Sequence, residues 1–178
     1  MTTVRLNLPT ILTFSRIVFI PIFLIVAPTR PVLGAVVFSI ASLTDFLDGY
    51  IARKTGQITK FGILLDPIAD KFLVITALVL LVDMGRLSVF VATVIIIREF
   101  LVTGLRIAAL TKQIVIKAER GGKLKTVAQI AAIICLVLGD SLFGIDLYIP
   151  GQILIWIALV LAVVSGIQYT ISFWKKVV

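Results

Sequence analysis

Apolar residues run through the chain in long blocks broken by short polar punctuation. Six blocks are each close to the roughly 20 residues that a helix needs to cross a bilayer. They extend from about Leu8 to Ala27, Val32 to Ala52, Phe61 to Val82, Leu87 to Leu110, Leu124 to Leu142 and Pro150 to Phe173. The breaks carry turn chemistry: Pro28-Thr29-Arg30-Pro31, Asp83-Met84-Gly85-Arg86, and the stretch from Gly139-Asp140 to Pro150-Gly151. The pattern predicts an all-α integral membrane protein with six transmembrane helices, residues 1–178 forming a single membrane domain. The first block is long and no small-residue cleavage pattern follows it, so it is not expected to be a cleaved signal peptide.

Composition narrows the chemistry. Of 178 residues, 60% are hydrophobic and 15% charged, with a mean hydropathy of +1.18. A soluble domain has roughly 45–50% apolar and about 25% charged residues. This chain has too little polar surface to cover a water-exposed globule and is far too apolar for disorder. With no histidine there is no imidazole base or metal ligand, and the single Cys135 excludes an intrachain disulfide or a thiolate cluster. Cys135 sits in Ile133-Ile134-Cys135-Leu136, where a small buried residue fits better than a reactive thiol. Any metal must therefore be held by oxygen.

The net charge of +8 is read first as topology and attraction to anionic lipid, with no nucleic-acid partner. On one side of the six spans lie Arg5, Arg53, Lys54, Lys60, Lys112, Lys117, Arg120, Lys123, Lys125, Lys175 and Lys176. The opposite loops hold only Arg30 and Arg86 among basic residues, beside Asp83, Asp140 and Asp146. This asymmetry predicts that both termini are cytoplasmic.

Four acids stand inside or at the ends of spans, where charge is costly and signals function. Asp45 and Asp48 are i,i+3, and Asp66 and Asp70 are i,i+4, so each pair shares a helix face. Span 2 descends to the cytoplasm and span 3 rises from it, which brings the pairs opposite each other near that boundary. Four bare carboxylates there would repel and take up protons. Two divalent cations would balance them, and with oxygen ligands alone these should be hard ions, Mg2+ or Mn2+. Paired metals of this kind suit phosphoryl chemistry. Gly49 and Gly62 flank the acids; they either let a substrate approach the backbone or let helices pack closely. Arg53, one turn beyond Gly49, either pairs with a diphosphate or serves as a topology charge.

Together the segment reads D-x-x-D-G-x-x-A-R, eight residues, then G-x-x-x-D-x-x-x-D, from Asp45 to Asp70. It resembles the signature of the CDP-alcohol phosphotransferase family, with every position filled. The six-span layout and cytoplasmic site resemble the family too, along the whole chain. The resemblance implies displacement of CMP from a CDP-linked lipid, usually CDP-diacylglycerol, by an alcohol hydroxyl. It implies that Asp45, Asp48 and Asp66 bind two metal ions, with Asp70 helping to hold one and acting as the base. It assigns Gly49, Ala52, Arg53 and Gly62 to the cytidine diphosphate site, with Thr59 as a nucleotide contact. Asn7-Leu8-Pro9-Thr10-Ile11-Leu12-Thr13 loosely resembles the family's entry to span 1, implicating Asn7, Thr10 and Thr13 in closing over the nucleotide. Thr10 could equally be a helix cap. A homodimer in the bacterial cell membrane, its site facing the cytoplasm, is also implied.

The acceptor is addressed by the second half. Arg98-Glu99 lies deep in span 4 and Arg106 eight residues on; Lys123 and Lys125 open span 5. Arg106, Lys123, Lys125 and Arg98 are candidates to grip a phosphate on the acceptor, a concentration that serine or choline would not require. The competing readings are the positive-inside rule for the lysines and an internal ion pair for Arg98. The stretches around Arg98-Glu99 and Gly122-Lys123-Leu124-Lys125-Thr126 also resemble the branch of the family that makes phosphatidylglycerophosphate. This implies sn-glycerol 3-phosphate as acceptor, ahead of inositol phosphate and then serine. An ion-coupled transporter is the alternative from another class, but its charges would be expected to reach or cross the midplane.

Overall fold

The computed structural model describes the backbone of residues 8–55, 60–111, 120–139 and 144–177, and the side chains of 18–44, 71–109, 111, 124–139 and 144–176. Six helices account for nearly all of it: α1 (Leu8–Thr29), α2 (Pro31–Thr55), α3 (Lys60–Asp83), α4 (Val89–Thr111), α5 (Arg120–Leu138) and α6 (Tyr148–Val177). Each matches one predicted apolar block. The helices fall into two compact units, Met1–Leu80 and Leu81–Val178.

In the first unit a single residue, Arg30, separates α1 from α2. Pro28 falls in the last turn of α1, and Pro31 opens α2, where a missing amide hydrogen costs nothing. Phe23 and Phe38 lie on opposite sides of this joint, yet their ring centroids are 5.5 Å apart. The two helices therefore fold back as a hairpin. Small residues line its seam: Ala27, Ala35 and Ala41 are buried, and a methyl at Gly34 would stand 2.5 Å from the Ala27 Cα. Glycine is required there by the closeness of the two backbones.

In the second unit α6 packs against both α5 and α4. Ile133, Leu136 and Val137 of α5 are buried, as are Ile155, Ala158 and Ala162 of α6 and Val91, Ile95 and Val102 of α4. Turns are set by glycines with positive φ. At the end of α3, Gly85 (φ 67°) donates to Val82 O and Arg86 N to Leu81 O, the paired bonds of a Schellman cap. At the end of α5, Gly139 (φ 53°) donates to Cys135 O. The guanidinium of Arg86 takes the next two carbonyls, donating to Leu136 O at 2.9 Å and Val137 O at 2.6 Å. Gln152 of α6 in turn donates to Arg86 O at 2.7 Å. One arginine thus ties the loop before α4 to the end of α5 and the start of α6.

Spans 5 and 6 depart furthest from the sequence expectation. Span 5 starts at Arg120 and stops at Leu138, four residues early at each end, because Gly139 caps it. Span 6 begins at Tyr148, so Pro150 and Gly151 belong to its first turn rather than to the turn before it. Proline is tolerated at that position, and Gly151 lies against Leu136, where a methyl would be 2.9 Å from its side chain. Asp146 marks the true start, accepting the Tyr148 amide hydrogen at 2.7 Å.

By length and composition, one helix among the described residues, Tyr148–Lys176, is apolar enough to cross a membrane; Val18–Thr29, Pro31–Thr44 and Leu124–Leu138 are shorter apolar helices. The outer face of α6 is exposed and apolar, carrying Ile153, Trp156, Val160, Val164 and Ile167. α4 has the length but carries Arg98, Glu99 and Arg106 inside it.

Candidate active site

The signature residues stand on unbroken helix. α2 carries Asp45, Asp48, Gly49, Ala52 and Arg53; α3 carries Gly62, Asp66 and Asp70. On a helical backbone, Asp45 and Asp48 are about 60° apart around the axis and about 4.5 Å along it; Asp66 and Asp70 are about 40° and about 6 Å apart. Each acid pair therefore shares a face of its own helix. The side chains of 45–70 lie outside the described residues, as do those of Thr10 and Thr13 on α1, and Asn7 and Thr59 lie outside entirely. Thr10 is the third residue of α1, inside the helix rather than at its cap. Each acid pair offers oxygen donors alone, the kind that fits hard divalent cations. Among the described residues, which exclude these side chains, there is no group of three or more acids, histidines or cysteines that could hold a metal.

The second unit contains a buried polar network that the sequence revealed only in part. Glu99 of α4 is 6% exposed and Lys125 of α5 is 4% exposed; the Lys125 ammonium donates directly to Glu99 Oε1. Arg98 Nη1 lies 3.5 Å from the same oxygen. The rest of the Arg98 guanidinium points into α6: Nε donates to Ala162 O at 2.8 Å and Nη2 to Ser165 Oγ at 2.7 Å. Gly166 makes room, since a methyl there would be 3.2 Å from Arg98 Cγ. Thr103 donates to Glu99 O at 2.7 Å, one helical turn on. Glu99 is thus shared by two cations from two helices. The ion pair offered as one reading of Arg98 is present, but its larger commitment is to α6.

Of the four acceptor candidates, the structure brings Arg98 and Lys125 together through Glu99. Arg106 is exposed on α4 and makes no ion pair with a described residue. Positions 123 and 125 lie about 200° apart around α5, on opposite sides of it. Sequence reasoning missed Ser165 and Gly166 as the seat of Arg98. The available signal was a small polar pair inside an otherwise apolar span.

A model of the CDP-alcohol phosphatidyltransferase family matches residues 6–164, nearly the whole chain. The chain belongs to this family. Among its relatives is the CDP-diacylglycerol–glycerol-3-phosphate 3-phosphatidyltransferase of Bacillus subtilis (strain 168), 40% identical over 95% of this chain and 96% of its own length. The Rickettsia typhi (strain ATCC VR-144 / Wilmington) protein of the same name is 42% identical over 92% of this chain and 94% of its own. A probable phosphatidylglycerophosphate synthase of Mycobacterium tuberculosis (strain CDC 1551 / Oshkosh) is 39% identical over 92% of this chain and 79% of its own. The family carries the phosphatidyltransferase chemistry that the acid signature of α2 and α3 implies.

Proposed function

We propose that this enzyme transfers the phosphatidyl group of CDP-diacylglycerol to sn-glycerol 3-phosphate, giving phosphatidylglycerophosphate and CMP. The observation that carries the reading is the complete acid signature on α2 and α3 in a chain about 40% identical, over nearly all its length, to proteins named for this reaction. Six membrane spans with both termini in the cytoplasm fit the six helices, the basic asymmetry of the loops and the apolar outer face of α6. A homodimer in the bacterial cell membrane, its site facing the cytoplasm, completes the proposal.

Asp45, Asp48, Asp66 and Asp70 would hold two Mg2+ or Mn2+ ions. The chemistry such ions supply is neutralisation of charge on the diphosphate and on the departing CMP. Arg53 offers the diphosphate a forked partner, and Gly49, Ala52 and Gly62 leave its approach open. Thr59, with Asn7, Thr10 and Thr13, is assigned to the nucleotide. Asp70 takes the proton from the acceptor hydroxyl. The freed oxygen attacks the phosphorus attached to diacylglycerol, and the bond from that phosphorus to the bridging oxygen breaks, so CMP leaves with the bridging oxygen. Arg106 and Lys125 are assigned to the acceptor's phosphate, with Lys123 on the other side of α5 and Arg98 of α4, itself anchored to α6, beside Glu99.

The test is CMP release by the pure protein in liposomes. It should require CDP-diacylglycerol, a divalent cation and glycerol 3-phosphate, and the lipid product should have the mass of phosphatidylglycerophosphate. Turnover with inositol phosphate or serine instead would move the acceptor assignment within the family. Ion flux without CMP release would replace the enzyme reading by a transporter.

A further inference from the structure

Ser42 of α2 carries a hydroxyl with no partner. Its Oγ is shut off from solvent and makes no hydrogen bond. A helix offers such a hydroxyl its own carbonyls, and the neighbours take them. Ser39 donates to Ala35 O at 2.7 Å and Thr44 to Ile40 O at 2.7 Å. Ser42 makes no such bond. A buried donor left unpaired is costly, so in working proteins it commonly faces something that completes it.

The helix register says what that is. Side chains meet on a helix at three and four residues apart. For Ser42 those neighbours are Phe38, Ser39, Asp45 and Phe46. The two phenylalanines offer no polar acceptor, and the Ser39 hydroxyl is spent on Ala35. Asp45 remains, about 4.5 Å farther along the axis. A helical side chain leans over the turn before its own Cα, and the turn before Asp45 holds Ser42. Phe38, Ser42 and Asp45 also fall within about 60° around α2. Phe38 is fully buried, its ring beside that of Phe23 of α1, so this face continues the closed seam of the hairpin. Away from water a hydroxyl gains most from a charged acceptor.

We propose that Ser42 is a positioning residue whose hydroxyl donates to the Asp45 carboxylate and fixes its orientation as a metal ligand. The inference rests on the metal assignment above and extends it to a residue outside the acid signature. A serine donor takes one lone pair of the carboxylate and leaves the others for the cation.

The experiment reads metal binding directly. Full-length protein in nanodiscs of uncharged lipid is stripped of metal and titrated with Mn2+, the free ion being followed by electron paramagnetic resonance. Ser42→Ala should weaken Mn2+ binding by roughly 10- to 100-fold, the usual cost of removing a hydrogen bond to a ligating group. Its unfolding midpoint should hold or rise, because alanine is the better helix former and leaves no orphan donor. Ser42→Thr keeps the hydroxyl and should recover most of the affinity. Ser39→Ala removes a hydroxyl spent on the backbone and should bind Mn2+ as wild type does. In an Asp45→Asn background, Ser42→Ala should cost less than about twofold further, since the bond acts through the carboxylate. If the alanine variant does not fold, Ser42→Gly is read the same way. A folded Ser42→Ala with wild-type Mn2+ affinity, or with the same loss whether or not the Asp45 carboxylate is present, overturns the role of Ser42 and leaves the metal assignment standing. Wild type that binds no Mn2+ overturns both.

Discussion

Replacing Arg98 by methionine separates a structural brace from a substrate ligand. The guanidinium makes two short bonds to α6, 2.8 Å to Ala162 O and 2.7 Å to Ser165 Oγ, and a longer contact of 3.5 Å to Glu99. A hydrogen bond involving a charged group contributes about 1.5–3 kcal/mol, so the two short bonds set an upper range of about 3–6 kcal/mol. Nothing is left stranded by the change. Ser165 Oγ still donates to Leu161 O at 2.7 Å, and Glu99 keeps Lys125. Methionine also fills part of the volume and removes the cost of burying a cation. The expected loss is therefore about 2–3 kcal/mol of unfolding free energy, measured by reversible unfolding in mixed micelles. The KM for glycerol 3-phosphate should move less than about threefold, since the guanidinium is spent on α6. Arg98→Lys should fall between, because an ammonium cannot fork to both acceptors. A tenfold rise in KM for glycerol 3-phosphate with no loss of unfolding free energy would refute the brace and return Arg98 to the acceptor.

Three further outcomes are expected. Asp70→Asn should bind CDP-diacylglycerol yet retain less than about a tenth of wild-type kcat, because the base and one negative charge are removed; single-turnover CMP release checks it. Transfer should be direct, with inversion at phosphorus and no exchange of labelled CMP into CDP-diacylglycerol in the absence of acceptor, and such exchange would sink the direct route. Arg106→Ala should lower kcat/KM for glycerol 3-phosphate by about 10- to 150-fold, the loss of one charge-assisted contact, while the titration with CDP-diacylglycerol stays near wild type.

Helix positions were legible in the sequence because long apolar blocks and Pro/Gly punctuation act locally. The errors were local too. Pro150-Gly151 reads as a turn, yet proline is tolerated in a first helical turn, and Asp146 was the better marker. The early end of α5 is set by Gly139, whose carbonyl neighbours are then taken by Arg86 from far along the chain. Backbone acceptors have no sequence signature, so that clasp was invisible. The acid signature stands out in the sequence because four carboxylates at helical spacing are costly to keep in apolar blocks; its side chains lie outside the described residues. The Glu99 network was half legible. Two adjacent charges deep in an apolar block demand partners, but Ala162 and Ser165 look like ordinary members of α6. Lys125 looked like any lysine at a cytoplasmic helix end until its contact with Glu99 was seen.

The bonds from Arg98 to α6 bear on how the chain is made. The acceptors at Ala162 and Ser165 lie 64 and 67 residues beyond Arg98, and Lys125 lies 26 residues beyond Glu99. In a membrane-inserted chain, α4 leaves the ribosome carrying charges that each oppose insertion at mid-bilayer by roughly 2.5–3.5 kcal/mol. α5 brings a counter-charge for Glu99, but the seat of Arg98 arrives only with the last helix. With the six spans proposed above, α4 would be a dependent span, waiting beside the insertion machinery until α6 is synthesised and the two enter the lipid together. A nascent chain halted before Ala162 would hold α4 outside the bilayer, and one extended past Ser165 would release it.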